Sequence, residues 1–511
     1  MNCGIRIDRD IPKYLAVGYR FGNVYHLALI AGATPGAHGP RAIGAGRSPR
    51  PAAEERYMKV CVVGTGYVGL TTGVSLAFLG HEVTCVDLDQ SKVDMLRGGH
   101  CPIYEPGMED LLAEAAPSLS FTTSYADAVP GADVVFVAVQ TPSAEDGSPD
   151  LRYLRAAAES VAQSLDHTFT VVVNKSTVPI GSGNWVDAIL RDSFAQRADR
   201  PVTCEFAVAS NPEFLREGNA IHDTLYPDRI VIGSDNPRSL EVLNRLYAPI
   251  INQTFTAPGF LPRPDDIGAV PLVSTDLASA ELIKYAANAF LALKISYVNE
   301  IGQLAGKVGA DITEVARGIG LDQRIGSRFL QPGVGWGGSC FGKDTAALIA
   351  TAGEYNYEMP IVRAARDVNQ RQRAIAVERL QDELRILKGR KIGLLGVAFK
   401  PNTDDLRDSP TLDIAGLLLA RGARIKLHDP IAGDRFRHEQ PELAPYLSDT
   451  VDGLFDDCDA VVLVTAWAQY LEMDWSKFVG LMRTPILLDG RHALDADRMT
   501  RLGYKYLAIS G

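Results

Sequence analysis

Short runs of aliphatic and β-branched residues alternate with helical patterns along most of this chain, and each run ends in glycine, an acid or a small polar cluster. The first, K-V-C-V-V at 59–63, leads into a glycine cluster, a small-residue helix over 70–79 and a second strand, E-V-T-C-V, that stops at Asp87. Further strands are predicted over 132–139, 170–173 and 207–210, and residues 257–273, with four prolines and two glycines, read as a loop. Asp276 is a natural N-cap for an Ala-rich helical pattern that runs to about residue 308, with a shorter helix over 313–318. The charged stretch 371–390 predicts a solvated connecting helix. A second strand-turn-helix series then starts at 391–400 and continues with strands over 424–427, 460–464 and 486–488. Strands alternating with helices build parallel sheets covered on both faces. The expectation is an α/β protein in which two doubly wound domains, 58–272 and 387–511, are joined by a central α-helical domain, 273–386, behind a poorly structured extension, 1–57.

Composition narrows this picture. A chain of 511 residues is too long for one core, and 46% hydrophobic with 22% charged content is ordinary for a globular protein. Residues 31–56 are dominated by Gly, Pro, Arg and Ala. Asp8, Arg9, Asp10 and Lys13 interrupt the start and make a secretory signal a poor fit, so the folded part of the chain is expected to begin near Met58. A formal charge of -11 argues against non-specific nucleic-acid binding. No apolar run approaches the roughly 18–20 residues of a membrane span. The seven cysteines, at 3, 61, 85, 101, 204, 340 and 458, have neither CxxC nor metal-ligand spacing. They point to a reducing, cytoplasmic setting with room for a reactive thiol, and to no metal.

The chemistry sits in a few motifs. Gly64-Thr65-Gly66-Tyr67-Val68-Gly69 lies between a strand and a helix, with Asp87 closing the next strand. In that context GxGxxG is a dinucleotide fingerprint: the glycines let the backbone approach a pyrophosphate and the helix N-terminus offers N–H groups to it. Asp87 would hold a ribose 2′-hydroxyl and repel a 2′-phosphate, so NAD is expected and the first domain is Rossmann-like. The second, lacking the fingerprint, is expected to cover a substrate. Q-T-P-S at 140–143 and K-S-T-V-P at 175–179 end strands where such sheets hold ligands. Glu213 and Glu217 are four apart, placing both on one face of a short helix, either functional or merely solvated. Lys284 and Asn288 share a face of the long helix in the same way. The run P-G-V-G-W-G-G-S-C-F-G-K-D at 332–344 reads as a loop lying against a ligand. It delivers Cys340, then Lys343 and Asp344, to the start of a helix. A thiol there, three residues from a cation, should ionise more easily than a free cysteine, with a buried structural cysteine as the alternative.

Taken together, G-T-G-Y-V-G, N-P-E-F-L-R-E-G, K-Y-A-A-N-A-F, G-W-G-G-S-C-F-G-K-D and G-V-A-F-K resemble the nucleotide-sugar dehydrogenases, in collinear order from about Met58 to the C-terminus. The resemblance is greatest to the branch acting on UDP-glucose; a GDP-mannose or UDP-N-acetyl-hexosamine enzyme, or a non-catalytic nucleotide-sugar-binding protein, are the alternatives. It implies a four-electron oxidation of a sugar CH2OH to a carboxylate by two NAD+, through a thiohemiacetal and thioester on Cys340. By the same resemblance Lys284 and Asn288 would stabilise an oxyanion, Asp344 and Thr177 would position water, and Glu213 would act in hydrolysis or proton transfer. Cofactor contacts implied are Gly64, Gly66, Tyr67, Val68, Gly69, Asp87, Lys92, Thr141, Thr177, Glu217, Lys343 and Arg407. Substrate contacts implied are Glu213, Leu215, Lys284, Asn288, Phe329, Leu330, Gly335, Lys400 and Arg491, with Arg324 reaching in from a second copy of a homodimer built through the central domain. The leader and a longer segment at 257–273 depart from the family pattern.

Overall fold

The structure, a computed structural model, describes residues 57–142, 149–198 and 204–510. The stretch read as an N-terminal extension, 1–57, lies outside the described residues except for Tyr57. Eight strands form the first sheet: β1 (Lys59–Val63), β2 (Glu82–Val86), β3 (Leu119–Thr122), β4 (Val134–Val137), β5 (Thr170–Asn174), β6 (Phe206–Ser210), β7 (Ile230–Gly233) and β8 (Leu272–Thr275). Their order is β3-β2-β1-β4-β5-β6-β7-β8, with β1 to β6 mutually parallel and β7 antiparallel to β6. The first six follow the dinucleotide-binding order 3-2-1-4-5-6, whose direction reverses between β1 and β4. Side chains of β1, β4 and β5 are buried almost throughout, because helices cover both faces of a parallel sheet. The loop expected over 257–273 takes in the first two residues of β8, and the boundary drawn at 272 falls on its first residue. None of its four residues is buried, so this edge strand carries no apolar run to announce it.

The second sheet contains β9 (Lys391–Leu395), β10 (Arg424–His428), β11 (Ala460–Leu463), β12 (Ile486–Asp489) and β13 (Lys505–Ala508), all parallel, in the order β10-β9-β11-β12-β13. This is the other common doubly wound order, 2-1-3-4-5. Between the sheets in sequence lie four helices, Leu277–Val308, Ile312–Gly320, Phe341–Glu354 and Pro360–Leu384. Asp276 caps the first, accepting the Ser279 N–H at 2.8 Å, and Gly309 ends it at a φ of 75°.

The solvated helix expected over 371–390 is corrected. The helix is Pro360–Leu384, and Ile375, Ala376, Val377, Leu380 and Leu384 pack into the core of the second sheet. Its charges obscure an apolar stripe at helical spacing. One charge is buried with that face: Arg373 Nη1 lies 2.8 Å from Asp408 and also bonds Asp413, and its Nη2 donates to the Trp336 carbonyl at 2.9 Å. Arg373→Met should therefore destabilise the fold by about 2 kcal/mol, less than for a fully buried pair because water reaches both aspartates. A urea titration followed by tryptophan fluorescence measures it; an unchanged midpoint would contradict the assignment.

Candidate active site

Beyond β1 the chain turns through the glycines into the helix Tyr67–Phe78. A Cβ on Gly69 would stand 1.9 Å from the Gly64 carbonyl oxygen, so glycine alone lets helix and strand meet this closely. Gly66, the N-cap, is exposed with open space where a side chain would be, and neither a capping side chain nor an acid occupies the first turn. That is a cradle for an anion. Asp87 accepts the Thr65 N–H at 2.9 Å, the Thr65 hydroxyl at 2.6 Å and the Asp89 N–H at 3.0 Å. Burial works to raise its pKa, but these bonds and Lys92 hold it below the usual carboxylate range. An open glycine turn followed by an ionised carboxylate fits NAD, with Tyr67, Val68 and Lys92 half-buried beside it. Thr141 Oγ1 donates to the Thr177 carbonyl at 2.9 Å, tying the ends of β4 and β5.

The Gly-rich loop is clamped at Trp336. Its N–H donates to Asn369 Oδ1 at 2.7 Å, its carbonyl accepts from Asn369 Nδ2 at 2.9 Å, and its indole N–H donates to Ser296 at 3.1 Å. The Val334 N–H donates to the Gly490 carbonyl at 2.9 Å, the Gly338 N–H to the Arg407 carbonyl at 2.9 Å, and Arg491 Nη1 to the Gly335 carbonyl at 3.1 Å. Residues 332–338 are buried. The reading of these glycines as space for a ligand is corrected: a Cβ on Gly337 would stand 2.1 Å from the Asp408 carbonyl oxygen, and one on Gly335 2.6 Å from Asn369 Oδ1. At those two positions glycine admits neighbouring protein. The chain emerges at Ser339 and Cys340.

Cys340 is half-buried at the N-cap of the helix Phe341–Glu354, its sulfur 3.5 Å from the Ser339 hydroxyl. Burial pushes its thiol up, Lys284 pulls it back, and Glu213 and Asp344 push it up again. The expectation of an easily ionised thiol is therefore corrected; burial and the nearby carboxylates outweigh Lys284 and the more distant Lys400 and Arg407. Lys284 is buried, with Nζ 2.8 Å from Glu213 Oε1 and 5.5 Å above the Phe214 ring. Burial opposes its charge, yet Glu213 above all, then the thiol and Asp344, holds its pKa above the lysine value. Glu213 is depressed in turn: burial would raise it, but Lys284 and the Leu215 N–H, 2.6 Å from Oε2, prevail. One helical turn from Lys284, Asn288 Nδ2 donates to Asp344 Oδ2 at 2.6 Å, and Lys343 Nζ meets Asp344 Oδ1 at 2.7 Å.

Glu213 and Glu217 do not share a helix. Pro212 and the left-handed Gly218 keep 211–218 irregular, and helix begins only at Ala220. Glu217 accepts from Ser339, Thr403 and Arg407, each at 3.2 Å, and burial with Asp405 pushes its pKa up to about 7 against the pull of Arg407 and Lys400. Phe329 meets the Phe341 ring edge-on at 6.3 Å, and Leu330 is buried. Burial pushes Lys400 down, with Glu217 and Cys340 acting to raise it, and pushes Arg491 down to about 10. Arg324 stands apart, exposed and paired with Asp322 at 2.6 Å. Lys343, expected as a cofactor contact, is paired with Asp344. Sequence reasoning passed over Lys175 and Asn211, whose polar side chains directly follow β5 and β6, a recognisable ligand-facing position. It also missed Glu105, which accepts the Gly218 and Ala220 N–H groups at 2.6 Å; a lone acid in a turn gives no signal.

Three domains of the UDP-glucose/GDP-mannose dehydrogenase family match this chain: the NAD binding domain over residues 58–251, the central domain over 278–371 and the UDP binding domain over 393–496. The chain is 42% identical over 454 residues to UDP-glucose 6-dehydrogenase YwqF of Bacillus subtilis, covering 88% of this chain and 97% of that protein. It is 43% identical over 459 residues to a UDP-glucose 6-dehydrogenase of Pseudomonas aeruginosa, covering 88% and 97%. Its fold is similar to that of a UDP-glucose dehydrogenase from Pyrobaculum islandicum, with a TM-score of 0.79 at 38% identity over 91% of this chain and 100% of that one. It is also similar to a UDP-D-ManNAc dehydrogenase from Pyrococcus horikoshii, with a TM-score of 0.74 at 25% identity over 88% and 99%.

Lys284→Met removes the cation hydrogen-bonded to the buried Glu213 carboxylate and leaves it only Lys175. It should cost about 3 kcal/mol, visible as a lower unfolding midpoint at pH 7 that recovers in part in acid as Glu213 takes up a proton. A midpoint equal to that of the parent chain would show that the pair is not closed in solution.

Proposed function

The chain belongs to the UDP-glucose/GDP-mannose dehydrogenase family and is an NAD-dependent nucleotide-sugar dehydrogenase; from that premise we propose that it oxidises UDP-glucose at C6 to UDP-glucuronate. Identity supports this choice of sugar: 42% to a UDP-glucose 6-dehydrogenase against 25% to the UDP-D-ManNAc dehydrogenase. The observation that carries the mechanism is the convergence on one thiol, Cys340, of two buried polar pairs, Lys284–Glu213 and Asn288–Asp344.

Bound NAD+ supplies the hydride acceptor for each of the two oxidations. The chain handles oxygen, sulfur and protons. As the C6 alcohol becomes an aldehyde its hydroxyl proton leaves, and the Lys284 ammonium, kept charged by Glu213, stabilises negative charge on that oxygen. Cys340 sulfur then bonds to C6 and the thiol proton passes to the C6 oxygen, giving a thiohemiacetal. Loss of a second hydride from C6 and of the hydroxyl proton gives the thioester. Water adds to C6 and loses its proton to a carboxylate, for which Asp344 and Glu213 are the candidates. The C–S bond breaks, Cys340 regains a proton, and the sugar acid departs. One alcohol and one water become a carboxylate; four electrons leave on two NAD+. Covalent capture keeps a reactive aldehyde from escaping between oxidations. Phe329, Leu330, Lys400 and Arg491 are assigned to the UDP-sugar, and Glu217 and Arg407 to the cofactor side.

The same chain is assigned to a homodimer. Leu282, Phe290, Tyr297 and Leu304 recur every seven or eight residues along the helix Leu277–Val308 and are all exposed. Such a stripe is what a second copy would cover, and the exposed Arg324 would then be free to reach the partner's site.

With UDP-glucose the chain should form two NADH per sugar and a product heavier than the substrate by one oxygen less two hydrogens, as mass spectrometry reads it. GDP-mannose and UDP-N-acetyl-hexosamines should be turned over at least about 100-fold less efficiently. Cys340→Ser should abolish acid formation while NAD and UDP-glucose still bind. No NADH from UDP-glucose would contradict the choice of sugar, and two NADH per sugar from the Ser variant would contradict the covalent route.

A further inference from the structure

Lys175 is a buried titratable group with no part in these steps. It follows β5, and its Nζ donates to Asn211 Oδ1 at 2.8 Å. The same oxygen accepts the Tyr247 hydroxyl at 2.6 Å, and Asn211 Nδ2 donates to the Val231 carbonyl at 2.7 Å, which fixes the amide. The Lys175 Nζ also lies 6.0 Å from the centre of the Tyr247 ring. A buried ammonium held by a neutral amide is costly. Burial pushes the Lys175 pKa down to about 8; Glu213 works to raise it, and Lys284 adds to the lowering. Lys175 is thus a second cation sharing one anion, Glu213, with Lys284.

Counting charges gives this arrangement a purpose. Lys284 and Glu213, 2.8 Å apart, have no net charge as a pair. On its own the pair would offer a Cys340 thiolate, or an oxyanion on C6, little more than a dipole, with the Asp344 carboxyl close by. With Lys175 the trio carries one net positive charge. We infer that Lys175 is a positioning residue that, anchored by Asn211 and Tyr247, shares Glu213 with Lys284 and so leaves the Lys284 charge available to the Cys340 sulfur and the C6 oxygen. The groups acting on Lys175 are Glu213, Lys284 and Tyr247; those acting on Cys340 are Lys284, Glu213, Asp344, Lys400 and Arg407. The inference rests on the reading of Cys340 as the nucleophile.

The test uses the full chain without substrate. Iodoacetamide modification of the peptide carrying Cys340 is followed by mass spectrometry from neutral to alkaline pH, for the parent chain, Lys175→Gln and Lys175→Met. Gln keeps a donor for Asn211 without the charge; Met removes both, while Tyr247 still satisfies the Asn211 oxygen. Removing a cation disfavours the thiolate, so at pH 7, below the Lys175 pKa of about 8, both variants should react about tenfold more slowly, and the profiles should converge at higher pH where the parent's Lys175 has itself lost its charge. In turnover, kcat should fall with KM for the sugar nearly unchanged. Alkylation profiles that overlay the parent's would overturn the inference, and so would failure of both variants to fold, which would assign Lys175 to stability alone. Failure of the nucleophile reading looks different: a parent chain alkylated at Cys340 would still form two NADH per sugar and the sugar acid.

Discussion

The buried Lys284 ammonium is held charged by an anion beside it, and the Lys284–Glu213 pair is the constraint on which the rest of the site depends. Separating either partner from the other in a dry interior costs several kcal/mol. The long helix that carries Lys284 is therefore tied to the loop leaving β6, which carries Glu213. One turn further along the same helix face, Asn288 binds Asp344 and brings in the helix headed by Cys340. The Lys284–Glu213 and Asn288–Asp344 contacts thus fix three chain segments around one sulfur. The same pairing decides the electrostatics: it keeps Lys284 charged despite burial, and the carboxylates it brings in help keep the resting thiol protonated.

The loop before Cys340 is held as firmly as the residues it serves. Trp336 is gripped by Asn369, Arg373 and Ser296, from two helices, while Gly490, Arg407 and Arg491 hold the loop from the second sheet's side. Glu217 continues this junction, bonding Ser339 on one side and Thr403 and Arg407 on the other. A site assembled from so many segments gains precision because backbone groups of Val334, Gly335, Trp336 and Gly338 have fixed partners before any ligand arrives.

Most strands of the two sheets, though not β3, β7 or β13, and the central helix were legible because their signals are local. β1, the glycine turn and Asp87 announce a dinucleotide unit within about thirty residues, and Asp276 to Gly309 reads as a capped helix. Lys284 and Asn288 do share a helix face, as their spacing required. The misses have a common cause. The buried face of Pro360–Leu384 was hidden by its charges, β8 has no buried residue, and the Glu213–Glu217 spacing suggested a helix that Pro212 and Gly218 forbid. The role of the loop glycines and the pKa of Cys340 depend on what packs against them from distant segments, which spacing alone does not report.

The central claim is that Cys340 carries the sugar as a thioester. Asp344→Asn keeps an acceptor for Asn288 while removing a candidate base, so it should slow hydrolysis and let the acyl-enzyme accumulate. Mixed with UDP-glucose and NAD+, quenched in acid and weighed intact, that variant should gain the mass of one UDP-glucuronyl group, located by digestion to the peptide containing Cys340 and released by hydroxylamine. Formation of acid with no such adduct, or an adduct on any other residue, would contradict the account.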